Sequence, residues 1–341
     1  MTTEILLLIF YLVVIVAASE IFTNAIEILG ARLGFSEGVT GSIFAAVGTA
    51  LPETMVPLVA IFAGNSEKVS EEVGVGAILG APFMLSTLAV FLMGAASWRW
   101  AGRRGKQEIA PERSGLKRDI EFFLFAFTLA FLVAFTPHEY RAVRIFVAFV
   151  LVLTYFYYVM ETLKASAALV ADGHGAAESK PLYLSLIFKE HLAGVLVQLM
   201  LGLGLIIVGA KGFVSSVEGL AEILHLPVVA LALLIVPIAT ELPEKINSIL
   251  WIRNGKDTMA VGNITGAMVF QGSLLPAIGI FLTPWTINLT VVTSCVVTIL
   301  AGCWLYLLVL RAKRLNSGLF IVNGCLYAAF VGIVVYMITA S

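Results

Sequence analysis

The sequence predicts an all-α membrane protein of ten transmembrane helices, arranged as two inverted five-helix repeats. Three observations carry this. The 341 residues are 60% hydrophobic and only 13% charged, with a mean hydropathy of +1.00. Apolar stretches long enough to cross a hydrocarbon core recur along the whole chain. A stretch of the first half also returns in the second, in register, around a repeated Leu-Pro-Glu.

Clusters of Gly, Pro and charge divide the chain into spans at 5–29, 37–63, 73–97, 119–136, 142–170, 189–222, 227–252, 258–281, 286–310 and 318–340. Several exceed the roughly 20 residues a crossing needs, so tilts or breaks are expected. The first span follows Met-Thr-Thr-Glu without a basic region or a small-residue cleavage site. It reads as a helix that stays, not as a secretory signal. The segment 172–188 is the only linker-like stretch near the middle, and it divides a first repeat, 1–171, from a second, 189–341.

Basic residues set the orientation. The stretch from Arg99 to Arg118 holds seven of them. If that loop is cytoplasmic, the loops on its side hold 16 of the 21 Lys and Arg, against Lys68, Arg141 and Arg144 on the other. Both termini are then expected outside an inner (plasma) membrane. A formal charge of −1 gives no reason to expect a nucleic-acid partner. Nothing points to an obligatory protein partner, so the expected partners are the lipid bilayer and small inorganic cations. No nucleotide-binding loop or Ser-His-Asp arrangement appears, so no enzymatic activity and no cofactor are expected. Cys295, Cys303 and Cys325 lack metal-like spacing and read as packing residues.

The repeat aligns 24–53 with 215–244 without gaps at an offset of 191 residues. Glu27 falls on Glu218, Thr49 on Thr240, and Leu51-Pro52-Glu53 on Leu242-Pro243-Glu244. A connection five residues shorter then brings Gly76 and Gly80 onto Gly262 and Gly266. Five helices per half is an odd number, so the halves cross the membrane in opposite senses. Binding sites in such proteins lie near the midplane where the halves meet.

Proline inside a helix removes a hydrogen bond and frees a carbonyl four residues back. Within a bilayer that carbonyl needs a partner, which a cation or water supplies. A carboxylate placed directly after the proline therefore sits beside exposed oxygens. Glu53 and Glu244, with the Thr49 and Thr240 hydroxyls, offer the oxygen donors that a hard cation such as Ca²⁺ requires. Buried acids of this kind are costly and rarely lack a function. The glycine pairs fit close helix packing beside those turns.

These motifs resemble those of the sodium/calcium exchanger family, within the wider cation/Ca²⁺ exchanger superfamily, as a divergent member. The resemblance spans nearly the whole chain and is sharpest from Gly48 to Met84 and from Ala239 to Gln271. It implies antiport by alternating access, with Ca²⁺ exchanged for Na⁺ or H⁺, and with Glu53, Glu244, Thr49 and Thr240 in the site. Asn263 keeps an amide that the family pattern expects. Ala50 and Glu241 stand where the pattern has Ser, and Pro82 and Met268 replace polar ligands, so multiple Na⁺ sites lose part of their shells.

Glu241 and Lys245 stand four apart in the favourable order for a helical pair. If they pair, Glu53 and Glu244 remain to match a divalent ion. If Glu241 faces the site, three crowded carboxylates favour coupling to H⁺. Glu241 is thus a sixth candidate ligand, after Glu53, Glu244, Thr49, Thr240 and Asn263. Asn247, Ser248 and Gln271 extend the polar shell of the second half, where the first has Val56, Pro57 and Leu85. Glu20 and Lys211, at equivalent positions with opposite charge, are expected to pair or to reach the interface. Glu27 and Glu218 are expected to be solvated near helix ends, and Glu67, Glu71 and Glu72 to lie in an outer loop. Two other functions fit the motifs: exchange of another divalent ion such as Mg²⁺ or Mn²⁺ for H⁺, and cation sensing without transport.

Overall fold

The computed structural model describes residues 2–32, 51–63, 67–171, 181–185, 191–224, 241–312 and 314–340. They are almost entirely helical. In chain order the helices are α1 (Thr2–Arg32), α2 (Leu51–Ala63), α3 (Glu67–Met84), α4 (Val90–Arg99), the single turn α5 (Ala101–Arg104), α6 (Arg113–Val133), α7 (Arg141–Ala171), α8 (Leu192–Leu224), α9 (Leu242–Arg253), α10 (Asp257–Leu282), α11 (Leu289–Arg311) and α12 (Ile321–Ala340). One short antiparallel ladder, β1 (Glu108–Ile109) with β2 (Leu315–Asn316), pairs two loops.

Among the described residues, seven helical stretches are long and apolar enough to cross a membrane. Helix α6 is not one of them, because Lys117, Arg118, Asp119 and Glu121 crowd its first turns. Helices α2 and α9 are the described ends of the second and seventh predicted spans. Large apolar side chains such as Phe146, Met200, Val208 and Tyr336 face outward, as a lipid-facing surface requires.

Two stretches sit at the centre. Gly74–Arg99 and Asp257–Leu282 are each 83% buried, while the other five range from 18% to 50%. Both follow the Leu-Pro-Glu helices and read as apolar on every side, which is the pattern of a helix inside a bundle. In the first of them Pro82 lacks the N–H that a regular helix would use. The ladder widens directly afterwards into a π-helical turn at Leu85–Ala89. The amide of Asn323, from α12, donates to the Ser86 carbonyl in that turn at 2.8 Å.

Helices α1 and α8 run antiparallel along one side. A Cβ on Gly202 would come within 2.8 Å of Phe22, one on Gly209 within 2.8 Å of Ile15, and one on Gly212 within 2.2 Å of the Tyr11 ring. The backbones approach this closely because those positions carry no side chain. Shifting each residue by the repeat offset sends the Phe22–Gly202 contact to within one residue of Tyr11–Gly212. It sends Ile15–Gly209 to Ala18–Ile206, which share a cluster. Between the two helices, Asn24 and Gln198 bond each other and hold residues 181–184 to the helix ends.

Several expectations are revised. Helix α6 begins at Arg113 instead of 119, because Glu112 caps it by accepting from the Ser114 and Gly115 amides at 2.7 and 2.6 Å. Glu67, Glu71 and Glu72 belong to α3, not to a loop. Glu20 accepts from Tyr183 at 3.4 Å, and no ion pair joins it to Lys211 among the described residues. Glu218 is half-buried within α8, while nothing is described of the Glu27 side chain. Cys295 is buried as a packing residue, whereas Cys303 and Cys325 are exposed.

Candidate cation site

Leu242-Pro243-Glu244 lies in the first turn of α9, directly after Glu241 at its N-cap. Proline is tolerated there because the first helical N–H groups have no partner within the helix. The helix dipole is positive at that end and favours the Glu244 carboxylate. Leu51-Pro52-Glu53 opens the described part of α2. Each motif supplies a buried acid.

Glu53, Glu244 and Glu241 are all buried, at 2%, 0% and 0% exposure. Glu53 lies within direct electrostatic reach of Glu244, Glu241 and Lys245, so three carboxylates and one ammonium share an interior region. The Glu241 carboxylate takes the Lys245 ammonium at 3.1 Å, with both side chains buried. Of the two arrangements left open by the sequence, the ion pair is the one that forms. Glu53 keeps both carboxylate oxygens buried with no hydrogen bond from another residue among the described residues. Such a group calls for a ligand, since a buried polar atom left unsatisfied costs about 1–3 kcal/mol and an ionised one more.

Asn263 stands behind α9. Its amide nitrogen donates to the Glu244 carbonyl at 3.4 Å and to Ser248 Oγ at 3.2 Å, and Ser248 donates to the Ala260 carbonyl at 3.1 Å. This chain of bonds fixes the Glu244 turn against α10. Gln271, also on α10, is fully buried with neither polar atom partnered among the described residues. The positions on α3 equivalent by the repeat to Asn263 and Ala267 are Ala77 and Ala81, both buried and apolar. Thr49 and Thr240 lie outside the described residues. Among the described residues, no three His, Cys, Asp or Glu side chains converge as a ready metal cluster, in keeping with Lys245 holding Glu241. The other oxygens of a cation shell would be carbonyls, amides and water.

Two polar features escaped the sequence reading. Asp119 on α6 is buried and accepts from Thr265 at 2.6 Å and Tyr158 at 3.0 Å, fastening α10 from behind. Asn323, with Tyr327 one turn on, lines the α12 face against α3; the Tyr327 ring stacks on Phe83 at 5.7 Å. A lone amide in an apolar helix was the available signal for Asn323. Asp119 was masked by its place at the edge of a predicted span.

The chain belongs to a class of helical membrane exchangers of small cations. It matches the family described as sodium/calcium exchanger protein over residues 3–163 and 194–339, and it is a member of that family. It is 25% identical over 304 residues to "Sodium/calcium exchanger MaX1" of Methanosarcina acetivorans, covering 79% of this chain and 80% of that one. It is 26% identical over 285 residues to "Inner membrane protein YrbG" of Escherichia coli, covering 83% and 81%. "Putative antiporter CaxA" of Alkalimonas amylolytica is 24% identical, with 94% of each chain covered. Among solved structures, the fold is that of the H⁺/Ca²⁺ exchanger CAX, with a TM-score of 0.77, 18% identity, and 99% of this chain and 85% of that one covered. The sodium-calcium exchanger NCX_Mj gives a TM-score of 0.66 at 19% identity, covering 97% and 98%.

Proposed function

We propose that the protein is a secondary-active antiporter that moves a divalent cation, Ca²⁺ first among them, by alternating access between two inverted five-helix repeats. The repeats are 1–171 and 189–341, joined by 172–188. The antiparallel α1–α8 contacts, which nearly map onto themselves under the 191-residue offset, support that plan. The α1–α8 pair is the part that swings past a site framed by α2, α3, α9 and α10. The chain lies in the cell's inner membrane with both termini outside.

One observation carries the ion assignment: the buried Glu241–Lys245 pair. With Glu241 neutralised by Lys245, Glu53 and Glu244 together offer two negative charges to one divalent ion. Thr49, Thr240 and the Asn263 and Gln271 amide oxygens would complete its shell. H⁺ fits the return step better than several Na⁺. The α3 side of the site is lined by Ala77, Ala81 and Pro82, and the Ser86 and Thr87 hydroxyls both donate back to the Phe83 carbonyl. A second or third Na⁺ would find few oxygens on that side, whereas a proton needs only one carboxylate.

The test is Ca²⁺ flux in proteoliposomes with pH and Na⁺ gradients imposed separately and with Mg²⁺ and Mn²⁺ as competitors. A pH gradient should drive Ca²⁺ movement that Glu53→Gln and Glu244→Gln each abolish. Transport unchanged in both variants would overturn the site. A gradient-independent protein whose stability still responds to Ca²⁺ would instead be a sensor. A reporter fused after Ser341 that is active only outside the cell would support the orientation.

A further inference from the structure

Asp119 is a buried acid that the cation turns do not use. It stands six residues into α6, about 9 Å from the start of that helix, and is 1% exposed. Its Oδ1 accepts from the Tyr158 hydroxyl of α7 at 3.0 Å, and its Oδ2 accepts from the Thr265 hydroxyl of α10 at 2.6 Å. Neither donor is charged. The cation beside it, Arg118, keeps its Nε 3.9 Å from Oδ1, too far for a hydrogen bond. Glu112, a carboxylate that also acts on Asp119, is bound to the first amides of α6. Tyr155 stands behind Tyr158, with ring centroids 6.1 Å apart. On α11, the third helix packed against α6, Tyr306 gives its proton to Glu121 at 2.7 Å.

The Thr265 hydroxyl has one proton and two acceptors. Besides Asp119 Oδ2 it meets the Val261 carbonyl, one turn back, at 3.0 Å. Two complete bonding schemes follow. With Asp119 ionised, Tyr158 and Thr265 both donate to the carboxylate. With Asp119 protonated on Oδ2, that O–H donates to Thr265 Oγ1, the Thr265 proton turns to the Val261 carbonyl, and Tyr158 still donates to Oδ1. Neither scheme strands any of these groups, so a proton enters or leaves without a buried atom losing its partner. The ionised form has the stronger bonds, because a charged acceptor roughly doubles a hydrogen bond. Burial opposes it. Such opposition is the condition for a group that titrates.

We propose that Asp119 is a proton-binding site separate from the cation site, and that Thr265 passes its protonation state to the turn of α10 that carries Asn263. The two residues lie two positions apart on α10. Asn263 braces the Glu244 turn, while Thr265 fastens α10 to α6. Proton binding replaces a charge-assisted bond by a neutral one and loosens that fastening. The proton site itself does not depend on transport; its use in exchange rests on the H⁺ coupling proposed above.

Infrared difference spectra of the full chain in detergent, recorded on acidification, test the site directly. One component of the protonated-carboxyl band should persist in the Glu53→Gln, Glu244→Gln double variant and be lost in Asp119→Asn. The asparagine variant should fold, because its amide accepts from Tyr158 and donates to Thr265 as the protonated acid does. Tyr158→Phe and Thr265→Val each remove a donor to the ionised form. Each should therefore move the midpoint of that component to higher pH, a shift that a purely structural carboxylate would not show. In proteoliposomes, Asp119→Asn should retain Ca²⁺ flux and flatten its pH dependence. The site is overturned if the component survives Asp119→Asn, or if neither donor variant moves its midpoint. A flux profile in Asp119→Asn that keeps the parent's shape overturns the link through Thr265. A parent that shows the component but carries no Ca²⁺ supports the proton site and overturns the exchange reading alone.

Discussion

The turn that carries Glu53 and the turn that carries Glu244 start from the same three residues and end in different surroundings. Glu244 lies in a polar neighbourhood: Asn263 and Ser248 brace its backbone, and Glu241 and Lys245 pair beside it. The helix after Glu53 has Ala77, Ala81 and Pro82 at the corresponding positions. A duplicated motif therefore does not give duplicated surroundings. One half places an amide and a hydroxyl against its glutamate turn; the other has small apolar residues on the helix that follows. In the first half, support comes instead from a distant element, as Asn323 of α12 holds the π-helical turn that follows Pro82.

The sharpest way to break this comparison is to remove each charge in turn. Glu53→Gln should lower Ca²⁺ affinity on the order of 100-fold or more, as should Glu244→Gln, measured by flux and by Ca²⁺-dependent thermal shift. The halves should differ without Ca²⁺. Glu53→Gln should raise apo stability, because it relieves a buried carboxylate followed by a helix of apolar Ala77, Ala81 and Pro82, and Glu244→Gln, beside the Glu241–Lys245 pair and Asn263, should change it less. Equal apo effects would show that the asymmetry of the two turns has no energetic weight.

The ion pair gives the next largest effect. Lys245→Met should destabilise the protein by about 3–5 kcal/mol, since it leaves Glu241 buried without its partner. Adding Glu241→Leu should recover most of that loss, because an apolar pair replaces a buried ion pair at little cost. Ca²⁺ transport should survive in the double variant. If stability returns while transport is lost, Glu241 is a ligand and the charge assignment fails.

Legibility in the sequence followed the same division. The helices were readable because apolar runs and Gly/Pro breaks are local signals; α1, α7, α8 and α11 fall within a few residues of their expected spans. Glu53, Glu244, Glu241 and Asn263 were readable because burying a charge or an amide in an apolar helix demands a reason. Pairing was not readable. Whether Lys245 meets Glu241 depends on how far the proline disturbs the helix, and the sequence leaves both geometries open. Tertiary bonds between distant segments were invisible for the same reason: Asp119 with Thr265 and Tyr158, Asp257 with Arg104, and Asn323 with Ser86 have no periodic signature.

Asn323→Leu probes the support of the first half alone. It removes the donor to the Ser86 carbonyl inside a buried turn, at an expected cost of about 1–3 kcal/mol. Asn323→Asp keeps the volume but cannot donate when ionised, so it should be at least as damaging. The matching change in the second half, Ser248→Ala, leaves Asn263 its bond to the Glu244 carbonyl and should cost less. Chemical denaturation in detergent measures both. If Ser248→Ala proves the more harmful, the second half depends on that hydroxyl more than its geometry implies.

The smallest effect concerns the edge of the bundle and separates the site from its scaffold. Burial acts to raise the Glu112 carboxyl, but bonds from Ser114 and Gly115 outweigh it, and the group lies below its ordinary value of 4.5. A carboxyl depressed by folding contributes stability that is complete above the unfolded value and fades as pH falls through the lower folded one. The α6 cap should therefore hold at neutral pH and weaken only in acid, below about pH 4.5. Glu112→Gln should flatten that part of the thermal midpoint profile and leave the pH dependence of Ca²⁺ flux near neutrality as in the parent. A change in the neutral flux profile would mean that the cap of α6 is coupled to the Glu53–Glu244 turns through α10, and the two regions would no longer be separable.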